Sequence, residues 1–122
     1  MKSNAIVALI VACAATACGP PVNTIHVAPT ASPDSVRITI SGVDGSIPPQ
    51  NPVYGLSVVR CESQEPYWTI AAGGGRLLPD TVHYGQTVPG FHVTTPARPL
   101  VPGCYEVLAT DAKAVRFRIG PP

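Results

Sequence analysis

The chain has 122 residues, of which only 12% are charged, and its 15 prolines and 11 glycines with short apolar runs indicate many turns and an all-β domain. Its length allows one domain of ordinary size once a leader is removed. The formal net charge of +1 falls to zero when Lys2 leaves with that leader, and a neutral chain argues against nucleic-acid binding, which needs a basic surplus on one face.

The first residues, 1–17, have the features of a secretory signal peptide. Lys2 precedes an apolar run at residues 5–11, and small residues at positions 14–17 form a cleavage zone before Cys18. The apolar run is well short of the about 20 residues that cross a bilayer, so it is not expected to remain as a membrane span. We therefore predict that the chain is exported and that this leader is removed.

The cleavage zone ends on a cysteine, and Ala15, Thr16 and Ala17 before Cys18 resemble the lipobox of bacterial lipoproteins. In that family the cysteine is acylated and becomes the mature N-terminus. The resemblance therefore implies that lipid on Cys18, including palmitate, anchors the protein in a membrane. The residue after Cys18 is Gly19 and not aspartate. In a bacterium with two membranes, this resembles the pattern of lipoproteins that are sorted to the outer membrane. The resemblance thus implies a lipid-anchored protein of the bacterial cell envelope, in the outer membrane, on its periplasmic or surface face.

Two alternatives to lipidation at Cys18 remain open. Ile10, Val11 and Ala12 before Cys13 also resemble a lipobox and fit its aliphatic preference better, although the break in composition comes only after Cys18. The other alternative is cleavage after a nearby alanine without lipidation. In that case the protein is secreted.

Residues 18–34 are rich in proline, alanine, serine and threonine and show no sustained periodicity. This composition predicts a flexible tether that starts at the lipidated Cys18 and lifts a domain at residues 35–122 off the membrane. His26 lies in this stretch and is interpreted as a solvated tether residue rather than as a pH sensor or ligand.

Alternating or continuous apolar runs predict about seven short strands in the domain, and the last two form a hairpin. The predicted strands are residues 35–41, 53–61, 67–72, 81–84, 91–94, 104–110 and 114–119.

The third predicted strand contains the only tryptophan. Trp68 is expected to anchor the core, with Tyr67 and Thr69 on the opposite face, and an exposed Trp68 lining a groove is the alternative. Residues 47–52 contain three prolines and predict a loop or sheet edge, because proline cannot donate to a central ladder. The glycines at 73–75 predict a turn.

The segment that enters the sixth predicted strand carries a recognisable pattern. Leu100, Pro102, Gly103 and Tyr105 resemble the run that enters a late strand in many immunoglobulin-like and transthyretin-like sandwiches. The resemblance implies a small antiparallel β-sandwich. It also implies that the tyrosine hydroxyl bonds back to the preceding loop as a tyrosine corner.

Two of the four cysteines belong to the leader and its cleavage site, which leaves Cys61 and Cys104 in the domain. An exported chain meets an oxidising compartment, so these two are predicted to form a disulfide. A closed loop of about 44 residues corresponds to roughly 4 kcal/mol in the chain-entropy model. The alternative is a zinc site made by both cysteines with His83 and His92, but no tight ligand spacing supports it.

No serine stands in a recognisable nucleophile motif, and paired cysteines cannot attack a substrate, so we predict no catalytic residues, no metal and no cofactor. Several arginines lie on predicted strands. Gathered on one face they would bind an anionic sugar or a lipid headgroup, whereas scattered they would be solvated positions that discourage edge-to-edge pairing. They are Arg37, Arg60, Arg116 and Arg118.

These observations predict a non-enzymatic binding or structural module, anchored to the membrane by lipid, that holds an envelope protein or glycan. The alternative is an envelope enzyme inhibitor that presents the proline-rich residues 47–52, or a small envelope enzyme. The sequence contains no feature that predicts an oligomeric state.

Overall fold

The computed structural model of the chain describes residues 23–28, 35–42, 53–72, 79 and 81–121. These residues form eight strands and no helix, so none of them belongs to a helix that could span a membrane. The strands are β1 (Asn23–Val27), β2 (Arg37–Gly42), β3 (Gly55–Arg60), β4 (Pro66–Ala71), β5 (Thr81–His83), β6 (His92–Thr95), β7 (Gly103–Ala109) and β8 (Val115–Ile119). The predicted signal peptide, the proline-rich loop at 47–52 and the glycines at 73–75 lie outside the described residues.

The strands form two antiparallel sheets in a sandwich-like arrangement. The smaller sheet has the order β1-β2-β5 and the larger one has the order β6-β4-β3-β7-β8. All seven predicted strands are present, and β7 and β8 form the predicted hairpin, in which Tyr105 lies opposite Phe117. The prediction of an all-β, antiparallel sandwich is therefore confirmed.

The first strand corrects the predicted tether. β1 lies inside residues 18–34 and pairs with β2, so that Ile25 is opposite Ile40. Asn23 and Ile25 are buried while His26 is exposed, which is the alternation of a half-buried strand. The prediction of a flexible tether is therefore wrong for residues 23–27, because pairing with β2 and burial of alternate side chains stabilise them as a strand. The segment is too short to show this periodicity in the sequence.

The core lies between the two sheets and is built around Trp68. This side chain is 1% exposed, and its ring meets that of Tyr84 edge-on at 5.3 Å between centroids. Full burial of a large apolar side chain contributes about 1.5–3 kcal/mol. The role of Trp68 as a core anchor is confirmed, and the alternative of an exposed groove residue is wrong. The other large side chains that are fully buried in this core include Tyr105, Ile38, Ile40, Leu56 and Ile70.

A β-bulge in β4 changes which side chains enter the core. Val58 pairs with Trp68 while the next residue, Val59, pairs with Pro66, so Tyr67 is an extra residue without a partner on β3. As a result Tyr67 and Trp68 are both buried, although neighbours in a regular strand face opposite sides. The prediction that Tyr67 lies on the opposite face from Trp68 is therefore wrong, because both side chains belong to the same buried cluster.

Candidate functional site

The disulfide predicted from the sequence is present. Cys61 follows the last residue of β3 and lies beside Cys104 on β7, where the Cys61 amide donates to the Cys104 carbonyl at 3.1 Å. Their Cα atoms are 5.4 Å apart, within the usual range for a disulfide. The zinc alternative therefore loses both thiolates. Its histidines also lie in different sheets, His83 on β5 and His92 on β6.

The disulfide lies at the edge of a recess of about 370 Å³, which we call the disulfide recess. The end of β3, the start of β7 and the end of β8 meet at this edge of the larger sheet, because neighbouring strands run antiparallel. Residues distant in sequence therefore line one depression. They are Arg60, Cys61, Glu62, Ser63, Gly103, Cys104 and Arg118.

Arg60 is held in place on one side of this recess. Its Nη1 donates to the Tyr105 hydroxyl at 3.1 Å, and its guanidinium carbon is 5.1 Å from the centroid of the Tyr105 ring. Contact with an aromatic face stabilises a guanidinium and limits its motion. Gly103 makes room for the group, since a Cβ atom there would lie 2.8 Å from Nη1 of Arg60.

Arg118 supplies the second cation of the recess. In the β7–β8 register it is directly opposite Cys104, and it is exposed. Within the described part of the chain the ion pairs join Arg98 to Glu65 and Arg116 to Glu106. Arg60 and Arg118 are therefore cations without a carboxylate partner in that part of the chain.

The turn after Cys61, which carries Glu62 and Ser63, is fixed by Gln64. The Nε2 atom of Gln64 donates to the Cys61 carbonyl at 2.9 Å and to Oε1 of Glu106 at 3.1 Å. These bonds hold Gln64 with a φ of 60°, in the left-handed region that is uncommon for a non-glycine residue. The Gln64 hydrogen bond and that of Arg116 lower the pKa of Glu106 below its usual value.

Arg98 forms a second cluster of contacts, with Tyr67, Glu65 and Tyr84. The Arg98 guanidinium carbon lies 4.2 Å from the Tyr67 ring centroid, and Nη1 of Arg98 donates to Oε2 of Glu65 at 2.7 Å. The Tyr84 hydroxyl donates to the Arg98 carbonyl at 2.7 Å and also lies 3.0 Å from the Tyr67 carbonyl. Burial raises the pKa of Tyr84 to about 12. Other residues of the fold already neutralise the charge of Arg98 and accept the hydrogen bond of Tyr84. We therefore interpret this cluster as one that stabilises the fold.

The arginines singled out from the sequence do not share one face. Arg37 lies in the smaller sheet opposite His83, and Arg116 pairs with Glu106. Arg60 and Arg118 both line the disulfide recess, whereas Arg116 and Arg118 both line a second depression. Glu62 and Ser63 were not singled out from the sequence, and Gly103 was named only in the pattern before the sixth predicted strand. All three lie within two residues of a predicted half-cystine.

A second depression of about 390 Å³ lies along the seam between β1 and β8, where the edges of the two sheets approach each other. Apolar side chains such as Ile25 and Phe117 form part of its lining, together with His26 and Arg116. Arg118 lines both depressions. The two depressions therefore adjoin at Arg118.

No protein-family model, curated protein or solved structure matches this chain. Its function must therefore be argued from its own residues and not by analogy with the fold, because one fold serves many functions. The proline-rich segment on which the inhibitor alternative depends lies outside the described residues.

Proposed function

We propose that this protein is a lipid-anchored module of the bacterial cell envelope that binds or holds a partner without catalysis. The observation that carries the proposal is the Cys61–Cys104 disulfide, in a chain whose predicted leader, residues 1–17, ends just before Cys18. Disulfides persist in oxidising compartments and are rare in the cytosol, so the cystine supports the export that the leader predicts.

The disulfide recess supports a binding role. Its lining includes two arginines, a glutamate and a serine, beside a framework that the disulfide and the β3–β7 ladder hold in place. Polar groups fixed in a concave surface are what a ligand site requires. The described lining contains no histidine, and its cysteines are joined, so it offers neither an imidazole base nor a free thiol nucleophile.

Metabolic labelling tests the anchor. We expect the protein, expressed with its leader in a bacterial host that receives labelled palmitate, to take up label and to remain in the membrane fraction. The Cys18→Ser variant should lose both properties, while the matched Cys13→Ser variant should keep them. Intact mass of the mature chain should show acylation together with the loss of the two hydrogens of a cystine.

Two results would contradict the proposed anchor. Uptake of no label by the wild type would leave ordinary secretion as the route. Loss of label in Cys13→Ser alone would transfer the lipid to the earlier cysteine.

A further inference from the structure

We propose that the seam between β1 and β8 binds an extended peptide strand of a partner protein, in which apolar residues alternate with acidic ones. The peptide pairs with the open edge of β8 and lies beside β1, so it adds a strand to the larger sheet. This inference rests on the proposed binding function and deepens it by naming the class of partner.

Both strands of the seam are edge strands. Within the described residues β8 pairs with β7 alone, and β1 pairs with β2 alone. An edge strand leaves alternate backbone N–H and C=O groups facing away from its neighbour, and these groups can pair with an added strand. The open edges therefore supply the backbone hydrogen bonds that recognise an extended peptide.

The hydrogen bonds of β1 show which of its backbone groups face the seam. The Ala28 amide, directly after β1, donates to the Arg37 carbonyl at 2.9 Å, so the even-numbered residues of this antiparallel strand point their amides at β2. Ile25 lies between two such residues, and its amide and carbonyl point away from β2. Asn23, of the same parity, donates its amide to the Asp111 carbonyl at 3.0 Å, just before β8. The backbone of Ile25 therefore faces the seam.

The seam is closed at one end and open beyond it. Asn23 and Ala112 form a parallel bridge, and no ladder joins β1 to β8 among the described residues. Past the bridge lies the depression of about 390 Å³, lined by residues 25–28 and 115–118. Stacked sheets are about 10 Å apart and paired strands about 4.8 Å apart, so a gap between the edges of two sheets has room for one strand. Because β1 and β8 are parallel at the bridge, a peptide antiparallel to β8 is antiparallel to both.

The side chains of β8 define what the peptide must present. Val115 and Phe117 are half-buried on the core side, where Phe117 stacks on the Tyr105 ring at 5.5 Å between centroids. Arg116 and Arg118 are exposed on the opposite side of the strand. Residues that lie directly opposite each other in paired strands share a face. Apolar side chains of the peptide therefore cover Val115 and Phe117, and its alternate residues lie opposite the two arginines.

The charge of the seam favours an acidic peptide. Its lining contains two arginines and no carboxylate. Arg118 has no ion pair in the described part of the chain, and the Arg116 side chain remains 65% exposed while it pairs with Glu106. Opposite charges on directly opposed residues stabilise strand pairing, and like charges destabilise it. A second copy of this chain is therefore disfavoured, because antiparallel pairing of two β8 strands would place arginines near arginines.

The other short edges of the described sheets lack this pattern. β5 has three residues and β6 has four, and neither strand contains a lysine, arginine, aspartate or glutamate. These edges offer few backbone groups and no charged side chain that would select a partner. The charge and the alternation of β8 thus distinguish the seam from them.

Titration of the isotope-labelled mature protein with the blocked peptide TVEVEVT, followed by NMR, tests the proposal. We expect a dissociation constant of about 0.1 mM and amide shifts at residues 25–28 and 115–118. Alternate β8 amides should exchange their hydrogens more slowly, because they become bonded to the peptide. The peptide TVKVKVT has the opposite charge, and TVVEEVT has the same composition without the alternation. Each should bind at least about tenfold more weakly than TVEVEVT.

A charge reversal on β8 isolates the contribution of one arginine. Arg118→Glu should weaken binding of TVEVEVT about tenfold and strengthen binding of TVKVKVT by a similar factor. The matched control is Arg37→Glu, which makes the same change of charge on β2, one strand farther from the seam. Salt screens charges at that distance, so both affinities should stay within about twofold. Thermal unfolding of each variant checks that the fold is kept, since both arginines are exposed.

Several results would overturn the proposal. Equal weakening by Arg37→Glu would indicate general attraction between charges, and shifts without slower exchange in β8 would indicate contact with the arginines without strand addition. Absence of TVEVEVT binding, or equally tight binding of TVVEEVT, would also overturn it. Failure here is distinguishable from failure of the proposed function, because palmitate labelling at Cys18 is measured separately.

Discussion

Tyr105 donates its hydroxyl hydrogen to the carbonyl of Val101, four residues earlier, at 2.7 Å, and the same hydroxyl oxygen accepts the Val101 amide at 2.9 Å. The oxygen also accepts from Arg60. One buried phenol thus closes the loop before β7 and orients an arginine of the disulfide recess. This is the tyrosine corner that the resemblance to sandwich proteins implied, and it is confirmed.

Replacing this hydroxyl should lower stability. Tyr105→Phe leaves the Val101 amide and carbonyl without their partner, and we expect the free energy of unfolding to fall by about 1–3 kcal/mol. Urea unfolding measures the loss, and the matched control is Tyr54→Phe, because Tyr54 is 41% exposed. An unchanged midpoint for Tyr105→Phe would mean that the corner contributes no stability.

Reducing the Cys61–Cys104 disulfide should lower the free energy of unfolding more than Tyr105→Phe does. Cys61 and Cys104 close a loop with a sequence separation of 43 residues, and removing such a cross-link typically costs about 2–4 kcal/mol. We therefore expect the urea midpoint to fall when a reductant is added. The Cys61→Ser, Cys104→Ser double variant should start at the lower midpoint and not respond to reductant. A wild-type midpoint that is insensitive to reductant would contradict the prediction.

Substitution of Gly103 should affect both stability and the recess. Its φ of 146° is rarely adopted by other residues, and an added Cβ atom would displace the Arg60 guanidinium. We expect Gly103→Ala to lower the free energy of unfolding by about 1–3 kcal/mol. Gly120→Ala is the matched control, because a Cβ atom added there would have no neighbouring atom within 4 Å. Equal behaviour of the two variants in denaturant would refute the prediction.

Tyr84 should make the fold sensitive to alkali. Burial raises its pKa from 10.0 to about 12, so between these pH values the unfolded chain has lost the proton that the folded chain retains. Stability from this group is therefore fully present below pH 10 and is lost as the pH rises towards 12. The measurement is the free energy of unfolding of wild type and Tyr84→Phe at pH values of about 8, 10 and 11. The difference in this free energy between the two proteins should shrink as the pH rises. A constant difference would exclude this linkage.

The strands of the domain could be predicted because their apolar residues alternate over enough positions, as in Val36, Ile38 and Ile40. β1 could not, since its five residues show the alternation only twice and a proline-rich composition surrounds them. What stabilises β1 is its pairing with β2, and that pairing is a tertiary contact. The bulge at Tyr67 likewise depends on register rather than on local sequence.

The candidate site was predictable in part. The disulfide was predicted by counting the cysteines of a chain expected to be exported, and Arg60 and Arg118 were recognised as strand arginines. Their place beside the same depression could not be predicted, because it requires knowing that β7 lies between β3 and β8. Once that order is known, the register opposite Cys104 places Arg118 at the recess.

If Cys18 carries the proposed lipid, the inclusion of β1 in the smaller sheet limits how far the domain can move from that lipid. With lipid on Cys18, only residues 19–22 separate the attachment point from Asn23, and a fully extended backbone of that length reaches at most about 18 Å. The body would then lie close against the bilayer, and any pull on the lipid would load the hydrogen bonds between β1 and β2 first. A domain anchored in this way would reach only partners within a short distance of the membrane surface.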